Sequence, residues 1–221
     1  MDMTDPMKID LAPTTLREMA IDRLRSAIIA GRFAGGTRLI ERVLCDQLGV
    51  SRSVVREAIR YLEAEGLVDI TPRVGPIVAR LDWPQAAQIY AIRRLLESAA
   101  AADCALRADE GVKSALQNAL SHMETAITEP QSIYRASTHF YQIIFQSAGH
   151  DIAWDIVQRL NSRISRLRVM TLSKPDRQVA GPAHMARICA AICAGNAPAA
   201  ASAVRDHLDD AAQIAQGLLT P

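Results

Sequence analysis

The chain has 221 residues, 49% apolar and only 4% aromatic, with four cysteines and a formal net charge of +1. That is enough apolar material for a sizeable core without disulfides or metal, and an alanine-rich, aromatic-poor mix favours closely packed helices over sheets. There is no run of 18 or more apolar residues, and the opening MDMTDPMKID lacks a signal peptide's basic start and apolar stretch. No membrane partner is expected, and the expected location is the cytoplasm.

In chain order, residues 1–13 read as a disordered lead. Leu16 to Ala30 carries Met19, Ala20, Leu24, Ala27 and Ile28 at helical spacing. Gly31 stops it, and GRFAGG follows as a turn. A second helix is predicted over Glu41 to Leu48, ended by Gly49. A third begins at Ser51 or Ser53, either of which suits an N-cap, and ends before Gly66. LVDI and PIVARL are β-prone runs separated by TPRVG, the pattern of a hairpin. Three helices and a two-stranded ribbon over residues 14–81 describe a winged helix-turn-helix.

After Asp82-Trp83-Pro84 the pattern changes to long helices, predicted at 85–107, 110–127, 132–148, 151–171, 181–194 and 198–218. Turns fall at Glu129-Pro130, Gly149, Lys174-Pro175 and Gly195 to Pro198. Residues 85–218 therefore read as an antiparallel helical bundle. The expected fold class is mainly α: an N-terminal winged helix-turn-helix followed by a C-terminal antiparallel all-helical bundle. Cys45, Cys104, Cys189 and Cys193 show no CxxC spacing. Cys189 and Cys193 share a face at i,i+4, a spacing open to a metal but better read as small apolar side chains.

Charge is uneven along the chain. Residues 14–80 hold 11 arginines, no lysine and 8 acidic residues, a net +3 that leaves −2 for the rest. In the third predicted helix, Val55, Ala58, Ile59 and Leu62 form one apolar face, and Ser53, Arg56, Glu57 and Arg60 lie opposite, with Arg52 at its start. A helix that reads DNA needs this division, one side docked on its own domain and the other polar and entering the major groove. Arginine forks onto guanine O6 and N7 or onto phosphate, and serine with first-turn N–H groups suits phosphate. Charge alone equally fits a solvated surface helix.

The string GVSRSVVREAIRYLEAEGLV narrows this. With IIAGRFAGGTRLIERVLCDQL before it, residues 14–80 resemble the DNA-binding domain of the GntR family of bacterial transcription regulators. The resemblance implies DNA contacts from Arg42, Ser51, Arg52, Ser53, Arg56 and Gly75, with Arg52 or Arg56 reading a guanine and Arg42 holding backbone. Two departures occur: Val54 stands where the family has proline, and PRVG replaces a more polar wing tip.

The helical region resembles the FadR-type (FCD) ligand-binding domain, through YAIRRLLESAAA, FYQIIFQSAGH and AAICAGNAPAAASAVRDHL. In that subfamily the bundle encloses an effector pocket, often with a divalent metal on one aspartate and three histidines. Counted from Gly149 and Gly195, those ligand positions fall here on Ser137, Tyr141, Met185 and His207. A hydroxyl, a phenol and a thioether make a poor hard-metal site, so no cofactor is expected. A local π-bulge would restore the register and bring His139, His184 and His207 together around a metal.

The implied effector-binding residues are Arg93, Ser137, Tyr141 and His207. Arg93 is open to a carboxylate ligand or to an ion pair with Glu97 at i,i+4, and His207 to a structural role in the core. Arg163, Arg166 and Arg168 are candidates to add charge to the pocket. The implied function is a ligand-responsive regulator, a repressor released by a small organic acid or related metabolite. It would act as a homodimer on a palindromic double-stranded operator. The alternative is a constitutive DNA-binding dimer whose bundle binds no effector. Nothing in the sequence supports an enzyme: there is no nucleophile–base motif, phosphate loop or paired-carboxylate signature.

Overall fold

The computed structural model describes residues 15–125 and 130–220. The predicted lead over 1–13 and the end of the helix predicted at 110–127 lie outside the described residues. The N-terminal half consists of α1 (Leu16–Ile29), α2 (Glu41–Leu48), α3 (Arg52–Ala64), β1 (Val68–Thr71) and β2 (Gly75–Val78). Thr15 and Glu18 form a capping box that starts α1. Its buried face is Ala20, Ile21, Leu24 and Ile28, so Met19 points outward and Ile21 takes the place expected for it. The expected face of α3 is the buried one, Val55, Ala58, Ile59 and Leu62, and it packs on α1. The two strands pair antiparallel with Val68 opposite Val78 and Thr71 opposite Gly75. A bridge from Arg38 to Ile77 ties the ribbon back to the segment before α2.

The C-terminal half runs α4 (Trp83–Arg107), α5 (Glu110–Thr125), α6 (Pro130–Ala148), α7 (Asp151–Arg163), α8 (Ser165–Leu172), α9 (Pro175–Cys193) and α10 (Ala197–Leu219). Asp82 caps α4 by accepting from the Gln85 N–H at 2.9 Å, and Asn196 caps α10 by accepting from the Ala199 N–H at 3.1 Å. Two expectations are corrected. The single helix predicted over 151–171 is two helices, broken at Ile164 (φ −101°, ψ 8°). The cause is local: in Asn161-Ser162-Arg163-Ile164-Ser165, the Ser165 hydroxyl donates to the Ser162 carbonyl at 2.8 Å, an alternative to the helical ladder. The helix predicted from 181 starts at Pro175, since proline at the first helical position begins a helix, and it carries Pro182 in its interior.

Each half has its own core. In the winged half, Leu24, Ile28, Leu39, Val55, Leu62 and Val68 cluster together. In the bundle, Phe140, Ile144, Phe145, Leu116, Ile188 and Ile192 do so, around a spine in which α10 packs along α4. A third cluster, including Tyr90, Ile164, Leu167 and Ala215 with Leu81 and Trp83 against it, sits where the linker enters the bundle. All four cysteines are free. Cys104 and Cys189 are core residues, and burial, then the neighbouring Cys193, pushes the Cys189 thiol up to about 12.

Candidate nucleic-acid interface and bundle cavity

Ser51 is the N-cap of α3: its hydroxyl accepts from the Val54 N–H at 3.4 Å and lies 2.8 Å from the Ser53 hydroxyl. Ser51, Arg52 and Ser53 are exposed at the positive end of the helix dipole, beside amides that suit phosphate oxygens. Arg52 makes no ion pair among the described residues. Arg56 does: its Nε lies 2.9 Å from both carboxylate oxygens of Glu41 on α2, and that hydrogen bond raises its pKa above the ordinary arginine value. Its side chain is still 62% exposed. Arg42, also on α2, is 75% exposed and reaches Asp46 only at 3.9 Å, a contact that solvent screens.

At the wing tip, Gly75 has φ +92° with open space where a Cβ would stand. Arg73 adopts φ +65° beside it and is exposed. In the sequence, PRVG reads as a tip less polar than the family's, with Val74 next to the glycine. The arginine two residues before the glycine is the signal that reading passes over, and the turn presents it outward. The six expected DNA-contact residues and Arg73 thus lie on α2, on the first half of α3 and on the wing.

In the bundle, a cavity of about 40 Å³ is lined by Arg93, Ser137, Arg168, Thr171, Met185 and His207 among others. That is room for about three water-sized groups. Ser137, Met185 and His207 line this cavity. Tyr141 is buried beside it, its ring 6.1 Å from Phe140 and 6.2 Å from His207. It sits four residues beyond Ser137, one turn along α6, with its ring turned into the core.

Arg93 lines the cavity and also makes the ion pair, with Nε 2.7 Å from Glu97 Oε1 and both side chains buried. Burial works against its charge, but Glu97 more than offsets this, so Arg93 titrates above its ordinary value. Arg168 differs. It is 8% exposed, its Nη2 donates to the Ser137 hydroxyl at 3.1 Å, and its guanidinium lies 4.7 Å from the centre of the Tyr134 ring. Its Nη1 is buried and meets no hydrogen-bond partner among the described residues. Burial first, then the charge of Arg93, pulls its pKa down. Among the described residues, two guanidinium groups and one carboxylate therefore leave one positive charge in excess at the cavity.

These groups do not fit a divalent cation. The donors lining the cavity are the hydroxyls of Ser137 and Thr171, the Tyr90 phenol, a thioether and one imidazole beside two guanidinium groups, and hard ions favour carboxylates and imidazoles in number. His139 is exposed on α6, away from the other two histidines of the expected set. The His184 and His207 rings do approach, at 5.7 Å between centres. However, Arg187 Nη2 lies 2.6 Å from His184 Nδ1, and arginine only donates, so the ring proton sits on Nε2, which faces Asp210 at 3.6 Å. Neither His184 nitrogen then has a lone pair to offer.

Winged helix, polar recognition face and appended bundle define a class, the DNA-binding transcription regulators with a helical second domain. Residues 16–78 match the family model described as "Bacterial regulatory proteins, gntR family", and residues 88–210 match that of the FCD domain. The chain is 30% identical over 168 residues to the HTH-type transcriptional repressor RspR of Escherichia coli, covering 75% of this chain and 74% of that one. It is 30% identical over 176 residues to the HTH-type regulator YdhC of Bacillus subtilis, with 78% of each covered. Among solved structures, E. coli McbR/YncC shares its fold at TM-score 0.78 and 19% identity, over 93% of this chain and 99% of that one. The chain belongs to the GntR family of bacterial transcription regulators and carries an FCD domain.

Proposed function

We propose that this regulator is ligand-responsive and takes a small monoanionic organic acid in the bundle cavity, where its carboxylate meets Arg168. The observation that carries the reading is Arg168 itself, a buried guanidinium with an unused donor and, among the described residues, no carboxylate within ion-pair distance. An uncompensated buried charge is costly, and a bidentate carboxylate meets both the charge and the donor. Ser137, Arg93 and His207 complete the set of polar contacts. No metal is required, because Arg168 supplies the positive charge a metal would.

The winged half would contact a palindromic operator through Arg42, Ser51, Arg52, Ser53, Arg56 and Gly75, joined by Arg73. A dimer follows from the geometry of such operators, whose half-sites lie about 34 Å apart. A surface suited to it exists: Ile92, Leu95 and Leu106 on α4, and Ile152 and Ile156 on the adjoining α7, are exposed apolar residues. The effector acts by its differential affinity for two arrangements of the DNA-binding halves. Release of a repressor is the sign we favour, since RspR is named as one. The protein works as a cytoplasmic regulator and not as an enzyme.

The test is thermal unfolding of the full chain with acetate, lactate, pyruvate and inorganic phosphate, and operator binding with and without them. An anion at a hundred times its Kd adds about 2.7 kcal/mol. At least one should stabilise the protein and weaken its operator complex, and Arg168→Met should abolish both effects. If none acts on the wild type more than on Arg168→Met, the constitutive dimer is the correct reading. The cavity's 40 Å³ is the observation that favours that alternative.

A further inference from the structure

A second cavity lies outside the bundle, at the joint between the two halves. It measures about 330 Å³, within the range of small-molecule sites and well above the bundle cavity. One wall comes from the winged half and the other from α8 and the end of α10. The apolar floor is Ile28, Leu67, Val78, Leu167, Met170 and Leu219. Arg80, Arg163 and Arg166 complete the lining.

These three arginines contrast with the paired arginines of the winged half. Arg17, Arg25 and Arg56 of the winged half are paired with Glu57, Glu65 and Glu41. Arg80, Arg163 and Arg166 make no ion pair among the described residues. Glycines hold them in place. A Cβ at Gly36 would overlap the Arg80 guanidinium, and one at Gly66 would strike the Arg163 stem. Arg166 Nη1 lies 3.7 Å from the Cβ position of Gly35, which also touches the Arg80 side chain. Arg80 from the segment after β2 and Arg166 from α8 therefore approach one turn, with like charges and no carboxylate between them among the described residues. Arg80 and Arg163 are exposed and Arg166 is half-buried, so the repulsion is modest, and an anion would lower it further.

We propose that this joint is a second ligand site, for a medium-chain aliphatic carboxylate. The carboxylate would lie between Arg80 and Arg166, with Arg163 alongside, and the chain would lie on the apolar floor. Its contacts span both halves, so its binding is linked to how the winged half sits on the bundle. The proposal does not depend on the bundle cavity holding anything.

Isothermal titration of the full chain with hexanoate, octanoate and neutral octanol tests it. Octanoate should bind once per chain and roughly fifteenfold more tightly than hexanoate, from about fourfold per methylene. Octanol should bind at least tenfold more weakly than octanoate. Arg166→Gln and Arg80→Gln should each weaken octanoate at least tenfold, while Arg168→Met leaves it unchanged. Both glutamine substitutions lie at the edge of the fold, and circular dichroism of each variant checks that it is intact. Absence of octanoate binding overturns the proposal, as does equal binding of octanol. Loss of binding in Arg168→Met with retention in Arg166→Gln would assign the ligand to the bundle cavity instead, and would equally overturn it.

Discussion

The two halves use the same residue in opposite solvation. On the recognition face of the winged half the arginines stand in water: Arg42 and Arg56 are 75% and 62% exposed, Arg42 only loosely beside Asp46 and Arg56 hydrogen-bonded to Glu41. In the bundle, Arg93 and Arg168 are buried, one matched by Glu97 and the other by no carboxylate among the described residues. An exposed cation costs little while it waits and meets a polyanion through many weak, salt-dependent contacts. A buried one is expensive until one specific small anion arrives. The first arrangement suits a surface that must slide over DNA before stopping. The second suits a switch.

The comparison rests first on the halves having separate cores. Phe145→Ala should destabilise the bundle by about 3–5 kcal/mol, and Leu62→Ala the winged half by about 2–5 kcal/mol. Hydrogen exchange checks this: each change should speed exchange mainly in its own half. Uniform loss of protection from either would show that the two cores unfold as one.

On the DNA side, Arg52→Ala should cost about 1–3 kcal/mol of operator binding and much less on a random duplex, as read by competition at fixed salt. An equal loss on both would reduce Arg52 to a phosphate contact. Ser51→Ala should lower stability by about 1 kcal/mol through loss of the cap, measured by urea unfolding. The smallest effect is expected from Asp46→Asn. It should leave stability unchanged, because the pair is exposed, and raise affinity slightly for every duplex sequence alike. A sequence-selective gain would place Arg42 on a base edge.

The winged half was almost wholly legible in the sequence. The spacing of Val55, Ala58, Ile59 and Leu62 fixes which side of α3 is buried, and glycine-marked turns fix where elements end. What periodicity missed there was minor: Ile21 for Met19, and Arg73 on a tip judged by Val74. The bundle was legible as helices but less so as a site. Counting from Gly149 and Gly195 reaches Ser137, Met185 and His207, which line the cavity, because helical register is fixed by geometry over a few turns. It also reaches Tyr141, which packs against His207 beside the cavity, since lining depends on how neighbouring helices cross. Arg168 carried no distinguishing mark beside Arg163 and Arg166. All three lie in one arginine-rich run, and only the break at Ile164 determines which of them turns inward. Pairing is a tertiary fact, so neither the unmatched charge of Arg168 nor the cavity at the joint was readable from local pattern.

The central claim is that Arg168 is a buried charge with no balancing carboxylate among the described residues, and it can be tested without knowing any ligand. Urea unfolding of the ligand-free chain, wild type against Arg168→Met, measures it directly. The account predicts that the methionine variant is as stable as the wild type or more stable, by up to about 4 kcal/mol, as when a costly buried ion gives way to an apolar side chain. A loss of about 3 kcal/mol or more would contradict it, because breaking a satisfied buried pair has that effect.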